Sequence, residues 1–152
     1  KITHLKMKKI FTLFFTLPLF INAQNTVCFT VDPNPNPNHP ALGSFGKYVD
    51  VLGTLPIYAE SSIPDAKVLH AAAITAELLD NNEDGIVDDQ NLKNALIANN
   101  TIMPLFAYDG SPVENTFYNN FQDCGGAVLY KNEIDPNNPT YWGYDASSFS
   151  WI

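Results

Sequence analysis

The stretch Leu79-Asp80-Asn81-Asn82-Glu83-Asp84-Gly85-Ile86-Val87-Asp88-Asp89-Gln90-Asn91 sets the tightest limits on what this chain can fold into. Oxygen-bearing side chains fall at Asp80, Asn82, Asp84 and Asp88, and Gly85 directly follows the third of them. A hard divalent cation takes roughly six to eight oxygens at short range, and alternate positions of a tightly turning backbone can aim them at one point. Gly85 suits the sharp bend such a loop requires. Ile86 is placed to offer its backbone carbonyl, and Val87 to turn inward and tie the loop to a core. Acids packed this closely repel one another unless a cation lies among them. Apolar periodicity on both sides predicts helices, so the region reads as helix, loop, helix. Such a pair buries little by itself and must lean on other elements.

The loop resembles that of the EF-hand family, matching D-x-[DN]-x-[DN]-G with a further acid, Asp88, at the ninth position. The resemblance implies Ca2+ held by Asp80, Asn82, Asp84, the carbonyl of Ile86, Asp88 and the closing residue Asn91. One position departs from the family. An EF-hand closes on a glutamate that grips the ion through both carboxylate oxygens, whereas Asn91 supplies one neutral oxygen, with Asp89 or a water as partial compensation. The expected affinity is therefore that of extracellular sites, roughly 10⁻⁴ to 10⁻³ M. The competing reading is a polar turn in which Asp88 or Asp89 caps the next helix, a task that needs only one such residue.

With 152 residues the chain has room for one ordinary domain after any targeting segment is removed. From Met7 it reads Lys8-Lys9, an apolar run from Ile10 to Ile21, then Asn22-Ala23-Gln24. That is the pattern of a secretory signal peptide over residues 7 to 23, cut after Ala23, and it predicts a secreted or periplasmic protein. Residues 1 to 6 are expected to be upstream reading. The apolar run covers about a dozen residues where spanning a bilayer takes roughly 20, so no membrane anchor is expected. Val27 before Cys28 is not the small residue of a lipoprotein signal. Loss of Lys1, Lys6, Lys8 and Lys9 leaves four lysines against 16 acids, a formal charge of −12. Such a chain repels nucleic acid and favours cations as partners. Cys28 and Cys124 are expected to pair in an oxidising compartment, stabilising the fold by up to ~4.7 kcal/mol on the chain-entropy model. Cys124 as a nucleophile is the alternative, but no base stands near it in sequence.

Asp32-Pro33-Asn34-Pro35-Asn36-Pro37-Asn38-His39-Pro40 puts a proline at alternate positions, which forbids helix and central strand, so 24–44 reads as a linker or surface arm. Its alternating Asp32, Asn34, Asn36 and Asn38 imitate a second calcium loop, yet no glycine permits the bend. An α+β domain is expected over 45–152, with helix, calcium loop at 80–91 and helix packed against a small sheet of short strands. Lys47 to Ala59, broken at Gly53 and Pro56, predicts two short strands. Ser61 to Asp65 supplies a helix start, and Val68, Leu69, Ala72, Ala73, Ala76 and Leu79 mark the buried stripe of a helix over 66–79. Asp89 to Ala98 predicts a second helix burying Leu92, Ala95, Leu96 and Ile97. Ile102 to Tyr108 reads as a strand that Pro104 confines to an edge. A turn at 109–112, a short helix over 113–121 carrying Phe117 and Phe121, and a strand over 126–131 follow. The aromatic end, Tyr141 to Ile152, is expected to be a truncation, because an intact domain seldom leaves so adhesive a patch.

Beyond the loop, local chemistry is sparse. His70 and Glu77 share a helix face, yet no H-E-x-x-H or third ligand accompanies them, and a packed histidine is the simpler reading. His39 is expected to be solvated. G-x-S-x-G, P-loop and dinucleotide patterns do not occur. Glu60, Glu114, Glu133 and Asp145 could include a glycosidase pair, which depends on separations that spacing does not fix.

The run Ile63 to Ala72 followed by Leu78 to Gly85 also resembles a group of uncharacterised secreted proteins, in which an acidic, histidine-containing helical segment follows. That resemblance implies catalytic residues beyond residue 152. The dockerin family is similar in its calcium loop but needs two tandem copies, and one is found here. Three readings result: a secreted module with a structural Ca2+, the N-terminal part of a secreted metal-dependent hydrolase, or a carbohydrate or surface-adhesion module using the aromatic C-terminal stretch around Trp142.

Overall fold

A computed structural model of the chain describes residues 29–121 and 128–134. In order along them come β1 (Asp32–Pro33), β2 (Lys47–Val51), β3 (Leu55–Ala59), α1 (Asp65–Leu79), α2 (Gln90–Ala98), β4 (Met103–Phe106), α3 (Pro112–Asn120) and β5 (Leu129–Tyr130). The chain is thus the expected mixture of helices and a sheet. Its strands form one mixed sheet in the order β1-β2-β3-β4-β5, antiparallel from β1 to β3 and parallel from β3 to β5. The β2/β3 hairpin turns at Leu52 and Gly53, both left-handed, and the N–H of Thr54 donates to the carbonyl of Val51 at 3.0 Å.

Strand alternation sorts the core into two clusters on opposite faces of the sheet. Val49, Val51, Ile57, Ala59, Met103, Leu105 and Leu129 face α1, whose Val68, Ala71, Ala72 and Leu79 complete the first cluster. Tyr58, Ile102 and Phe106 face the other way and pack with Phe117 of α3 and with Ala41, Leu42 and Phe45. Phe45 holds Tyr58, Phe106 and Phe117 at centroid separations of 5.9, 5.6 and 5.8 Å, so the second cluster is largely a web of tilted aromatic rings. Each large apolar side chain fully removed from water stabilises the fold by about 1.5–3 kcal/mol.

α1 begins at Pro64-Asp65, where the Asp65 carboxylate suits the positive helix end. The Lys47 ammonium bonds that carboxylate at 2.6 Å and also the carbonyl of Ile63, fastening the helix start to β2. The buried stripe is turned slightly from its expected line. Ala71, Ile74 and Thr75 are inside and Ala73 is exposed, with the Thr75 hydroxyl satisfied by the carbonyl of Ala71 at 2.8 Å.

Three elements sit differently from expectation. Pro104 does not mark an edge, because β4 lies between β3 and β5. The carbonyl of Leu105 accepts from Glu60 on the β3 side and that of Phe106 from Lys131 on the β5 side. Alternation then turns the nitrogen of Pro104 toward the β5 side, where pairing begins only at Leu105, so no ladder N–H is lost. No residue of α2 is buried; Leu92 and Ile97 are exposed, and Leu96 alone of that helix packs against the first cluster. The Pro/Asn-rich arm does not hang free. Its Asp32–Pro33 pairs with β2, and the Asn34 amide donates to the carbonyls of Leu42 and Phe45 at 2.7 and 2.9 Å, replacing ladder bonds that the prolines cannot make. Cys28 and Cys124, and with them the expected disulfide, lie outside the described residues, as do the signal segment and the aromatic C-terminal stretch.

Candidate metal centre

The loop begins where α1 stops. Asp80 is the C-cap, its N–H still donating to Ala76 at 2.8 Å, and its side chain is buried. One carboxylate oxygen accepts from the N–H of Asp84 at 3.2 Å and the other from that of Gly85 at 2.7 Å. Those bonds wrap the chain around the first acid. Glu83 and Gly85 are both left-handed, at φ 59° and 85°, so the bend falls where the sequence places its glycine, with a strained neighbour two residues earlier.

The next two candidate ligands each accept from the N–H two positions on. The Asn82 carbonyl oxygen accepts from Asp84 at 2.9 Å, and an Asp84 oxygen accepts from Ile86 at 2.9 Å. These are Asx turns, which aspartate and asparagine adopt because their short side chains reach their own backbone. The loop is then closed across its neck: the Asp88 N–H donates to Leu79 at 2.9 Å, and the Asn81 N–H donates to the Asp88 carboxylate at 2.8 Å. Val87 turns inward and is buried in the first core cluster, anchoring the loop as its position suggested.

Asp89 has a separate task. Its carboxylate accepts from the N–H groups of Asn91 and Leu92 at 2.8 and 3.1 Å, which makes it the N-cap of α2. The capping role is thus filled by Asp89 alone, leaving Asp80, Asp84 and Asp88 to the loop. Asn82, Asp84, Ile86, Asp88 and Asn91 are exposed, and Asn91 lies in the first turn of α2.

The donor chemistry suits a hard cation, since every candidate ligand is an oxygen. The side chains are not drawn together as they stand. Among the described residues, no three His, Cys, Asp or Glu side chains stand close enough together, as placed, to ligate one ion. Glu77, one turn before the loop, has its carboxyl pushed above the usual range first by burial and then by the charge of Glu83, with His70 opposing. Negative potential therefore reaches back from the loop into α1.

A second set of carboxylates does converge. Glu60, directly after β3, accepts from the N–H of Ala107 at 3.1 Å and from the hydroxyl of Ser111 through the same oxygen. Ser111 caps α3, its oxygen accepting from the Glu114 N–H at 3.1 Å. The Glu114 carboxylate takes the Tyr130 hydroxyl at 2.7 Å on one oxygen and the Gly110 N–H on the other. Bonding to Glu114, burial and nearby acids all hold the Tyr130 phenol well above its ordinary range. Glu60, Ser111 and Glu114 are all buried. Glu133 accepts from the Tyr130 N–H at 2.8 Å instead of joining a pair, and Asp145 lies outside the described residues. Glu60 and Glu114 tie strand ends to α3. Ser-x-x-Glu, a capping-box spacing, was the available signal for Ser111.

No described helix is long and apolar enough to cross a membrane. Family models, curated proteins and solved structures offer no match to this chain.

Proposed function

We propose that the chain is an exported calcium-binding module in which a structural Ca2+ sits in the loop 80–91. The ligands are Asp80, Asn82, Asp84, the carbonyl of Ile86, Asp88 and Asn91, with α1 and α2 on either side and the pair leaning on the sheet through Val87 and Leu96. The observation that carries this reading is the fold of the loop around Asp80. Its carboxylate is centred by the N–H groups of Asp84 and Gly85, and the neck is closed by Asp88. A carboxylate has about four acceptor sites, and the loop N–H groups occupy only one or two on each acid, so oxygens remain for an ion. Rotation of the exposed Asp84 and Asp88 side chains toward Asp80 completes the set.

The ion neutralises Asp80, Asp84 and Asp88 and fixes the angle between the helices. Sensor behaviour requires a helix pair that opens on binding, and a single loop supplies no such device. The signal-peptide pattern at residues 7 to 23 supports export, where calcium is abundant enough for a weak site. Calorimetric titration of Ca2+ into the full chain and into Asp80→Ala and Asp84→Ala variants tests the reading. Binding heat in the parent and none in either variant is expected; equal heats from all three overturn it.

A further inference from the structure

A cavity of about 750 Å³ opens on the face of the sheet opposite α1, at the β2/β3 hairpin, and none of the chemistry above uses it. Its floor is the face of β2 and β3 that carries Tyr48, Asp50 and Tyr58; Tyr48 and Tyr58 are paired across the two strands. The two rings meet at 66° with centroids 5.1 Å apart, forming an aromatic corner. The C-terminal end of α2 borders the cavity through Ile97 and Asn100, and that of α3 through Asn120 and Phe121.

From this arrangement we infer that the cavity binds an organic ammonium cation, with its charged head at the Tyr48–Tyr58 corner beside Asp50. Three features converge on positive charge. Helix C-termini carry the negative end of the macrodipole, and neither α2 nor α3 has a basic residue in its last turn to offset it. Asp50 adds a full negative charge, while among the described residues no lysine or arginine lines the cavity. Aromatic faces attract cations through their quadrupole and are the usual cage for quaternary ammonium groups. Burial first, then Asp50, Tyr58 and Asp32, push the Tyr48 phenol above its ordinary range, consistent with a negative field at that corner.

An anion finds no fixed cationic partner there, and one carboxylate is too few for a bare divalent metal. The volume is within the range of small-molecule sites and exceeds an ammonium head alone, so the occupant also has an organic body, which lies against Leu42, Ile97 and Phe121.

Choline and its neutral isostere 3,3-dimethylbutan-1-ol are the probes, titrated into the full labelled chain and followed by amide chemical shifts. Choline shifts Tyr48, Asp50, Asn100 and Phe121, and the isostere binds about tenfold more weakly. Asp50→Asn weakens choline about threefold and leaves the isostere unchanged. Tyr48→Leu lowers the preference for charge to what Asp50 supplies, whereas Tyr48→Phe keeps the ring and the binding; a melting curve for each shows that it is folded. Asp50→Asn leaves the heat of Ca2+ binding unchanged, so the cavity and the calcium loop fail independently. Equal affinity for choline and the isostere, shifts confined to other residues, no shift with either probe, or a neutral oligosaccharide binding where choline does not, overturns the inference.

Discussion

The loop after α1 and the network around Ser111 are both built from carboxylates, yet their hydrogen-bond donors come from opposite directions. Asp80, Asn82 and Asp84 take N–H groups two to five residues away. Glu60 takes its donors from positions 47 and 51 residues away. Distant donors convert an acid into a strut, because a buried oxygen is claimed by another element. Local donors shape the backbone and, at Asn82 and Asp84, leave the side chain exposed. The same side-chain chemistry thus fastens distant elements in one region and shapes a turn in the other.

The comparison breaks most visibly at Glu114. Replacing it by alanine strips the Tyr130 hydroxyl and the Gly110 N–H of their buried partner, and stability measured by urea unfolding should fall by about 3 kcal/mol, with or without Ca2+. Asp80→Ala should behave oppositely, with its main signature the loss of calcium protection. At about ten times Kd the ion adds ~1.4 kcal/mol to the parent, and that increment, read as the difference between melts with Ca2+ and with chelator, should vanish in the variant. If Glu114→Ala also abolishes calcium protection, the two regions are not separate.

Asp89→Ala tests the division of labour inside the loop. Loss of the α2 cap should cost about 1 kcal/mol in chelator and leave the calcium increment unchanged. The smallest expected effect is that of Glu77. A carboxyl whose folded value is raised above its ordinary 4.5 contributes stability that is complete below the unfolded value and is lost as pH rises through the folded one. Glu77→Gln should therefore raise the melting temperature relative to the parent near pH 7 and leave it unchanged near pH 4. No difference between those two conditions would remove Glu83 and the loop as a source of potential on α1.

What the sequence made legible follows the same split between local and distant. α1, the β2/β3 hairpin and the α3 segment were readable because each is written in periodic spacing, as with Val68, Ala72 and Leu79, or in a local breaker such as Gly53. The bend at Gly85 and the inward turn of Val87 were readable because they depend on a handful of consecutive residues. The Glu60–Ser111 bond and the Asn34 clamp left no periodic trace, since their partners are remote in the chain. Pro104 misled because its cost depends on which side its nitrogen faces. α2 misled for a related reason: an apolar side made of Leu92, Ala95, Leu96 and Ile97 states what a helix could cover, while the packing of its neighbours decides what it does cover.

The short first strand at one border of the sheet has a consequence of its own. An open border normally displays a row of unpaired amide groups that can template another chain into cross-β stacking. Here β1 is two residues long and ends on Pro33, with Pro35 and Pro37 close behind. Proline has no amide hydrogen to offer an incoming strand. A crowded solution of this acidic protein should therefore resist fibril growth from that side, and replacing Pro33 and Pro35 with valine would be the way to make it sticky.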